Sequence, residues 1–154
     1  MNYKKAAFGV ASIALLTILL SVSGASAHCE IPCGIYDDHM RIHLIEEDAT
    51  TIEKAMKQIV KLGGETPINH NQLVRWITNK EAHANRVQET VYQYFMTQRI
   101  KAGDDNYREK LVLLHQMLVA AMKCKQTTDL SNVENLRMLL KKFDALYFGQ
   151  TKGD

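Results

Sequence analysis

From residue 38 onward, apolar side chains recur at steps of three and four. Ile42, Ile45, Ala49, Ile52, Met56 and Ile59 are spaced 3-4-3-4-3, which predicts a helix over about 39–62 with one buried stripe. Asp37 and Asp38 can cap its start. Gly63-Gly64 ends it, since glycine accepts the left-handed conformation past a helix C-terminus, and Pro67 falls in the connector. A second helix starts near Asn69 or Asn71 and runs to about Lys101, with Leu73, Trp76, Ile77, Val87, Val91, Tyr94 and Phe95 on its buried side. Its middle, from Asn79 to Arg86, is polar apart from two alanines, so that face is free to meet another subunit or the N-terminal segment. Gly103 stops this helix, and Asp104-Asp105 can cap a third over about 107–125, through Leu111, Leu114, Leu118 and Ala121. Asp129 or Ser131 caps a fourth, whose Val133, Leu136, Leu140, Phe143 and Tyr147 are spaced 3-4-3-4 before Gly149. There is no alternating β-type stretch, internal repeat or low-complexity segment. Four such helices on short connectors predict an all-α, up-down-up-down four-helix bundle.

The first 27 residues follow a different pattern. Lys4 and Lys5 precede a mostly apolar run from Ala6 to Val22, and Ala25-Ser26-Ala27 is an A-x-A cleavage signal. Together these read as a cleaved export signal, the substrate of a signal peptidase. Ser21, Ser23 and Gly24 argue against a membrane anchor, and His28, where a small residue would be needed before Cys29, argues against lipid attachment. The expected organisation is a signal peptide over 1–27, a metal-binding segment over 28–37 and the bundle over 38–154. The mature protein is expected in the periplasm or outside the cell, and free of the membrane.

Charge refines the picture. Removing the leader takes Lys+Arg from 19 to 17, equal to the 17 Asp+Glu. A mature chain near neutrality lacks the basic excess that a nucleic-acid partner would want. Its three cysteines are Cys29, Cys33 and Cys124. In an oxidising compartment a Cys29–Cys33 disulfide is the plain expectation.

The residues around that pair support different chemistry. Cleavage after Ala27 would give His28 a free α-amine with a pKa of about 7.7–8.0, a nitrogen that a metal can claim at neutral pH. The backbone nitrogen of Cys29 lies one chelate ring away, and the Cys29 thiolate closes the next. Cys33 returns a second thiolate through a turn restricted by Pro32, and Gly34 lets the backbone leave without a side-chain clash. Two nitrogens and two sulfurs in a plane suit Ni(II) or Cu(II), whereas zinc prefers a tetrahedron. The His28 imidazole can reach an axial position, where it would favour the oxidised metal.

This stretch, His28-Cys29-Glu30-Ile31-Pro32-Cys33-Gly34-Ile35-Tyr36-Asp37, resembles the nickel hook of the nickel-dependent superoxide dismutases, and the helical pattern fits that family's subunit. The resemblance implies dismutation of superoxide to dioxygen and hydrogen peroxide by nickel cycling between two oxidation states, with one ion per subunit. It carries over His28, Cys29 and Cys33 as metal ligands, with His28 and Tyr36 as the catalytic residues. Tyr36 would position anion and water beside the open axial face, and Tyr94 is a candidate second tyrosine there. A homohexamer is implied. The family's acidic residue supporting the histidine has no clean counterpart; His43 occupies its position, with Glu46 and Glu47 beyond. Arg75 and Arg86 are candidates for the supporting arginine. The export signal also departs from the family's short cytoplasmic leader.

Other residues have plainer readings. His39 and His43, four apart, form a solvated helix face or a weak metal pair. His70 and His115 are surface or structural residues, and His83 is a candidate interface residue. Cys124 is a small apolar core residue. The competing functions are a non-catalytic nickel- or copper-binding protein and a disulfide-clipped helical interaction module.

Overall fold

Four helices carry the apolar stripes, in the order expected. The computed structural model describes residues 34–149; the leader and His28, Cys29 and Cys33 lie outside the described residues. Helix α1 spans Asp38–Gly63. Helix α2 spans His70–Glu89 and continues without a break as a π-helix over Thr90–Arg99. Helices α3 and α4 span Tyr107–Gln126 and Ser131–Phe148. Each packs on the next, and α4 returns to α1. Their directions follow from contacts between ends. Asp38, which opens α1, meets Arg99 at the end of α2 and Tyr147 at the end of α4. Lys110 near the start of α3 lies 5.4 Å from the Tyr147 ring. The bundle is therefore up-down-up-down.

The core is the set of predicted stripes turned inward. Ile45, Ala49, Ile52 and Met56 from α1 meet Ala84, Val87, Val91 and Phe95 from α2. Leu114, Met117, Ala121 and Cys124 from α3 and Val133, Leu136, Leu140 and Phe143 from α4 complete it. Phe95 sits edge-on to Phe143 at 5.0 Å and to Tyr147 at 5.6 Å. Burial of these side chains, each roughly 1.5–3 kcal/mol, is the main force holding the helices together.

Several local expectations are corrected. Leu73 and Trp76 are only half-buried, and Ile77 is 40% exposed. Antiparallel packing puts Lys80 level with residues 124–127 at the end of α3, so the first turns of α2 run past α3. Helix α1 remains beside them, with Lys54 5.9 Å from the Trp76 ring. Gly64 is right-handed (φ −92°, ψ −3°), and its N–H reaches back to Lys61 O at 3.1 Å; α1 ends by tightening its last turn, without a left-handed residue. Helix α3 is not capped by an aspartate side chain. Asn106 enters it in the left-handed region (φ 57°), which asparagine tolerates, while the Asp104 carboxylate accepts the Lys101 N–H at 2.8 Å. Asp37 does cap α1, accepting the Met40 N–H at 2.9 Å. Asp129 accepts the Ser131 N–H at 3.0 Å.

The polar middle of α2 is satisfied inside the subunit. Lys80 is buried, and its ammonium donates to the carbonyls of Cys124 (2.8 Å), Lys125 and Thr127 (3.2 Å). These are carbonyls at and just past the α3 C-terminus, two of them without an intrahelical donor, and a cation is favoured there. Asp48 of α1, also buried, accepts from His83 at 2.6 Å and from Arg86 at 2.9 Å. His83 is thus tied within its own bundle. Lys80→Met keeps the aliphatic stem and removes the clamp. It should lower stability by about 1–3 kcal/mol, read from urea unfolding, because the carbonyls lose their donor.

Candidate functional site

The first residue of α1 gathers side chains from two other helices, α2 and α4. Asp38 Oδ1 accepts from the Tyr94 hydroxyl at 2.6 Å and from Arg99 Nε at 2.8 Å. Its Oδ2 accepts from Arg99 Nη2 at 2.8 Å and from the Tyr147 hydroxyl at 2.8 Å. The arginine contact is bidentate, the strong form of this pair. Tyr94 and Arg99 reach one carboxylate because of the π-helix. At 3.6 residues per turn, residues five apart lie about 140° apart around the axis. Bonding from i to i+5 brings them onto one face, and the Ile100 N–H closes such a turn on Phe95 O at 2.9 Å.

Electrostatics follow the geometry. Burial alone would raise the Asp38 pKa, but hydrogen bonds from Arg99, Tyr94 and Tyr147 outweigh it and hold the carboxyl below its ordinary range. Burial, then the hydrogen bond to Asp38, pushes both Tyr94 and Tyr147 up to about 12. The hydrogen bond to Asp38 holds Arg99 further into its charged form. At neutral pH the cluster contains one carboxylate, one guanidinium and two protonated phenols.

Tyr36 joins the cluster from the chain just ahead of α1. Its ring lies 4.3 Å from the Arg99 guanidinium carbon and meets the Tyr94 ring edge-on at 5.9 Å. Arg41 approaches the Tyr94 ring at 4.8 Å. The structure therefore brings the Tyr36 and Tyr94 rings into contact.

The proposed supporting arginines are elsewhere. Arg86 is bound to Asp48, and Arg75 lines a cleft with Trp76 at the other end of α2. His43 is exposed; with His39 and Asp144 it borders a surface cleft, where His39 stacks on Phe148 at 3.8 Å. No group of three or more metal-ligating side chains occurs among the described residues. Glu46 and Glu53 take up Arg137 of α4, with Glu46 at 2.7 Å. Cys124 is free and fully buried, and desolvation pushes its thiol up to about 11, so it is an inert core residue.

Sequence reasoning did not single out Arg99, nor Asp38 as more than a cap, nor Tyr147 as more than core. The adjacent acidic pair Asp37-Asp38 was a signal: only one of the two is needed as the N-cap.

The described residues form an all-α bundle whose arginine–aspartate–tyrosine cluster begins five residues after Cys33 in the sequence. A family model described as nickel-containing superoxide dismutase matches residues 23–152, and the chain belongs to that family. It is an oxidoreductase that converts superoxide to dioxygen and hydrogen peroxide, with nickel as its cofactor. No curated protein and no solved structure matches it.

The titrations give a test. Stability contributed by Asp38, with its lowered pKa, is present above about pH 4 and is lost as pH falls through the folded value. Stability contributed by Tyr94 and Tyr147 is present below about pH 10. It is lost as pH rises through about 12, because the unfolded phenols ionise first. Asp38→Asn should cost about 1–3 kcal/mol at neutral pH and flatten the acid limb of a urea-midpoint profile.

Proposed function

We propose that the nickel site is the segment from His28 to Cys33, completed when proteolysis after Ala27 frees the His28 amine. The observation that carries this reading is the extent of the family match: residues 23–152 include this segment as well as the bundle. The donor set fits the ion. An amine, a deprotonated backbone amide and two thiolates are nitrogen and sulfur donors that would suit Ni(II) and would stabilise a higher oxidation state. When bound, nickel supplies the one-electron couple that takes superoxide alternately to dioxygen and to hydrogen peroxide.

The chain's own residues do the rest. The His28 amine and imidazole, the Cys29 nitrogen and thiolate, and the Cys33 thiolate hold the ion. Tyr36 would orient anion and water beside the ion, with the Tyr94 ring packed against it at 5.9 Å. Both thiols must be reduced for this, so a Cys29–Cys33 disulfide and a loaded site exclude each other. The leader directs export, and a signal peptidase acting in the periplasm or at the cell surface makes the terminus. The subunits assemble as a homohexamer. Exposed Val74, Val112 and Met138 on the bundle support burial of further surface in an assembly.

A chain beginning at His28 should bind one nickel per subunit and consume superoxide. A chain that retains Ala27 should lose both, because an acylated nitrogen cannot act as the amine donor. Intact mass before and after acid release of metal, with superoxide consumption alongside, reads both. Turnover by the Ala27-retaining form would sink the reading. Nickel binding without turnover by the His28 form would favour a metal-binding protein instead.

A further inference from the structure

Tyr36 is 39% exposed, and its hydroxyl has no hydrogen-bond partner among the described residues. Two ring contacts place it within the cluster: the Arg99 guanidinium at 4.3 Å and the Tyr94 edge at 5.9 Å. Arg99 in turn is not free to move. Its Nε and Nη2 are both engaged by the Asp38 carboxylate, which fixes the guanidinium plane and leaves its face for an aromatic ring. Asp38 is itself held by the Tyr94 and Tyr147 hydroxyls.

We propose that Arg99, locked by Asp38, is a positioning residue for Tyr36. This rests on the reading above that Tyr36 serves the nickel segment, whose last ligand, Cys33, lies three residues earlier in the chain. The role is geometric more than electrostatic. The Asp38 carboxylate offsets the Arg99 charge, so the pair offers little net attraction to a passing anion. What it offers is a flat, fixed surface on which the phenol ring rests, with its orientation set jointly by α1, the π-helical end of α2 and α4. A lysine at this position keeps the charge but has neither the fork nor the planar face.

The test uses the chain beginning at His28, labelled with 13C-tyrosine, with Tyr36→Phe to assign the signal. In the nickel-free wild type, Tyr36 should show one ordered ring signal with cross-peaks to Tyr94. Arg99→Lys and Arg99→Gln should both lose those cross-peaks. In the nickel-loaded protein both should lower kcat/KM for superoxide about two- to fivefold, the size of one lost cation–π contact, with nickel stoichiometry unchanged. Wild-type spectra showing a freely averaging Tyr36 ring would overturn the proposal without any variant. So would an Arg99→Lys protein that keeps both the cross-peaks and the wild-type kcat/KM. Absence of turnover in the wild type would instead remove the nickel-segment reading, because the metal-free spectra decide the placement of Tyr36 independently.

Discussion

One carboxylate, that of Asp38, joins the start of α1, the end of α2 and the end of α4. Its position helps it do so. An anion at a helix N-terminus is favoured by the backbone dipoles, and each of the three donors lowers the cost of keeping it partly out of water. Removing one partner would leave the others competing for a poorly solvated charge, so the cluster stands or falls as a unit. The far end of the bundle uses the opposite arrangement. There the Lys80 ammonium enters from α2 and takes up carbonyls around the α3 C-terminus. A carboxylate at one end and an ammonium at the other tie the helix ends together, and the apolar core between them needs no directional bond.

The helices were legible because a stripe at three- and four-residue steps has few other physical explanations. Val133, Leu136, Leu140 and Phe143 are all buried, as the pattern required. The same pattern overstated burial at Ile77, because periodicity says which face is apolar and not whether a neighbour is long enough to cover it. The polar stretch from Asn79 to Arg86 failed for the complementary reason. Its partners, Asp48 and the α3 terminal carbonyls, lie 35 or more residues away in sequence, and no local rule connects them.

The site divides along the same line. The expected nickel donors, His28, Cys29 and Cys33, all fall within one six-residue segment, so that expectation could be formed from the sequence without the fold. Arg99 and Tyr147 could not be, because they reach Asp38 across 61 and 109 residues. Arg99 was hidden further by helical register: on an ordinary α-helix it would face away from Tyr94. Ten residues of π-helix are rare and less favourable than α-helix, and such segments concentrate at functional sites. Here the altered register aims two side chains at one oxygen.

That division implies a separation of tasks between the two parts of the chain. Metal sites whose ligands come from distant elements rely on the whole fold to assemble them. On the proposed ligand set, five donors belong to three residues within a six-residue stretch, so ligand identity would be independent of bundle stability. What a stable bundle can add is orientation of the residues that follow. Tyr36 is the first of these to have defined partners, and its partners are the guanidinium and phenol that Asp38 holds. Changes in the core would therefore reach the reaction chiefly through the placement of Tyr36, while changes in the donor residues would act on the metal directly.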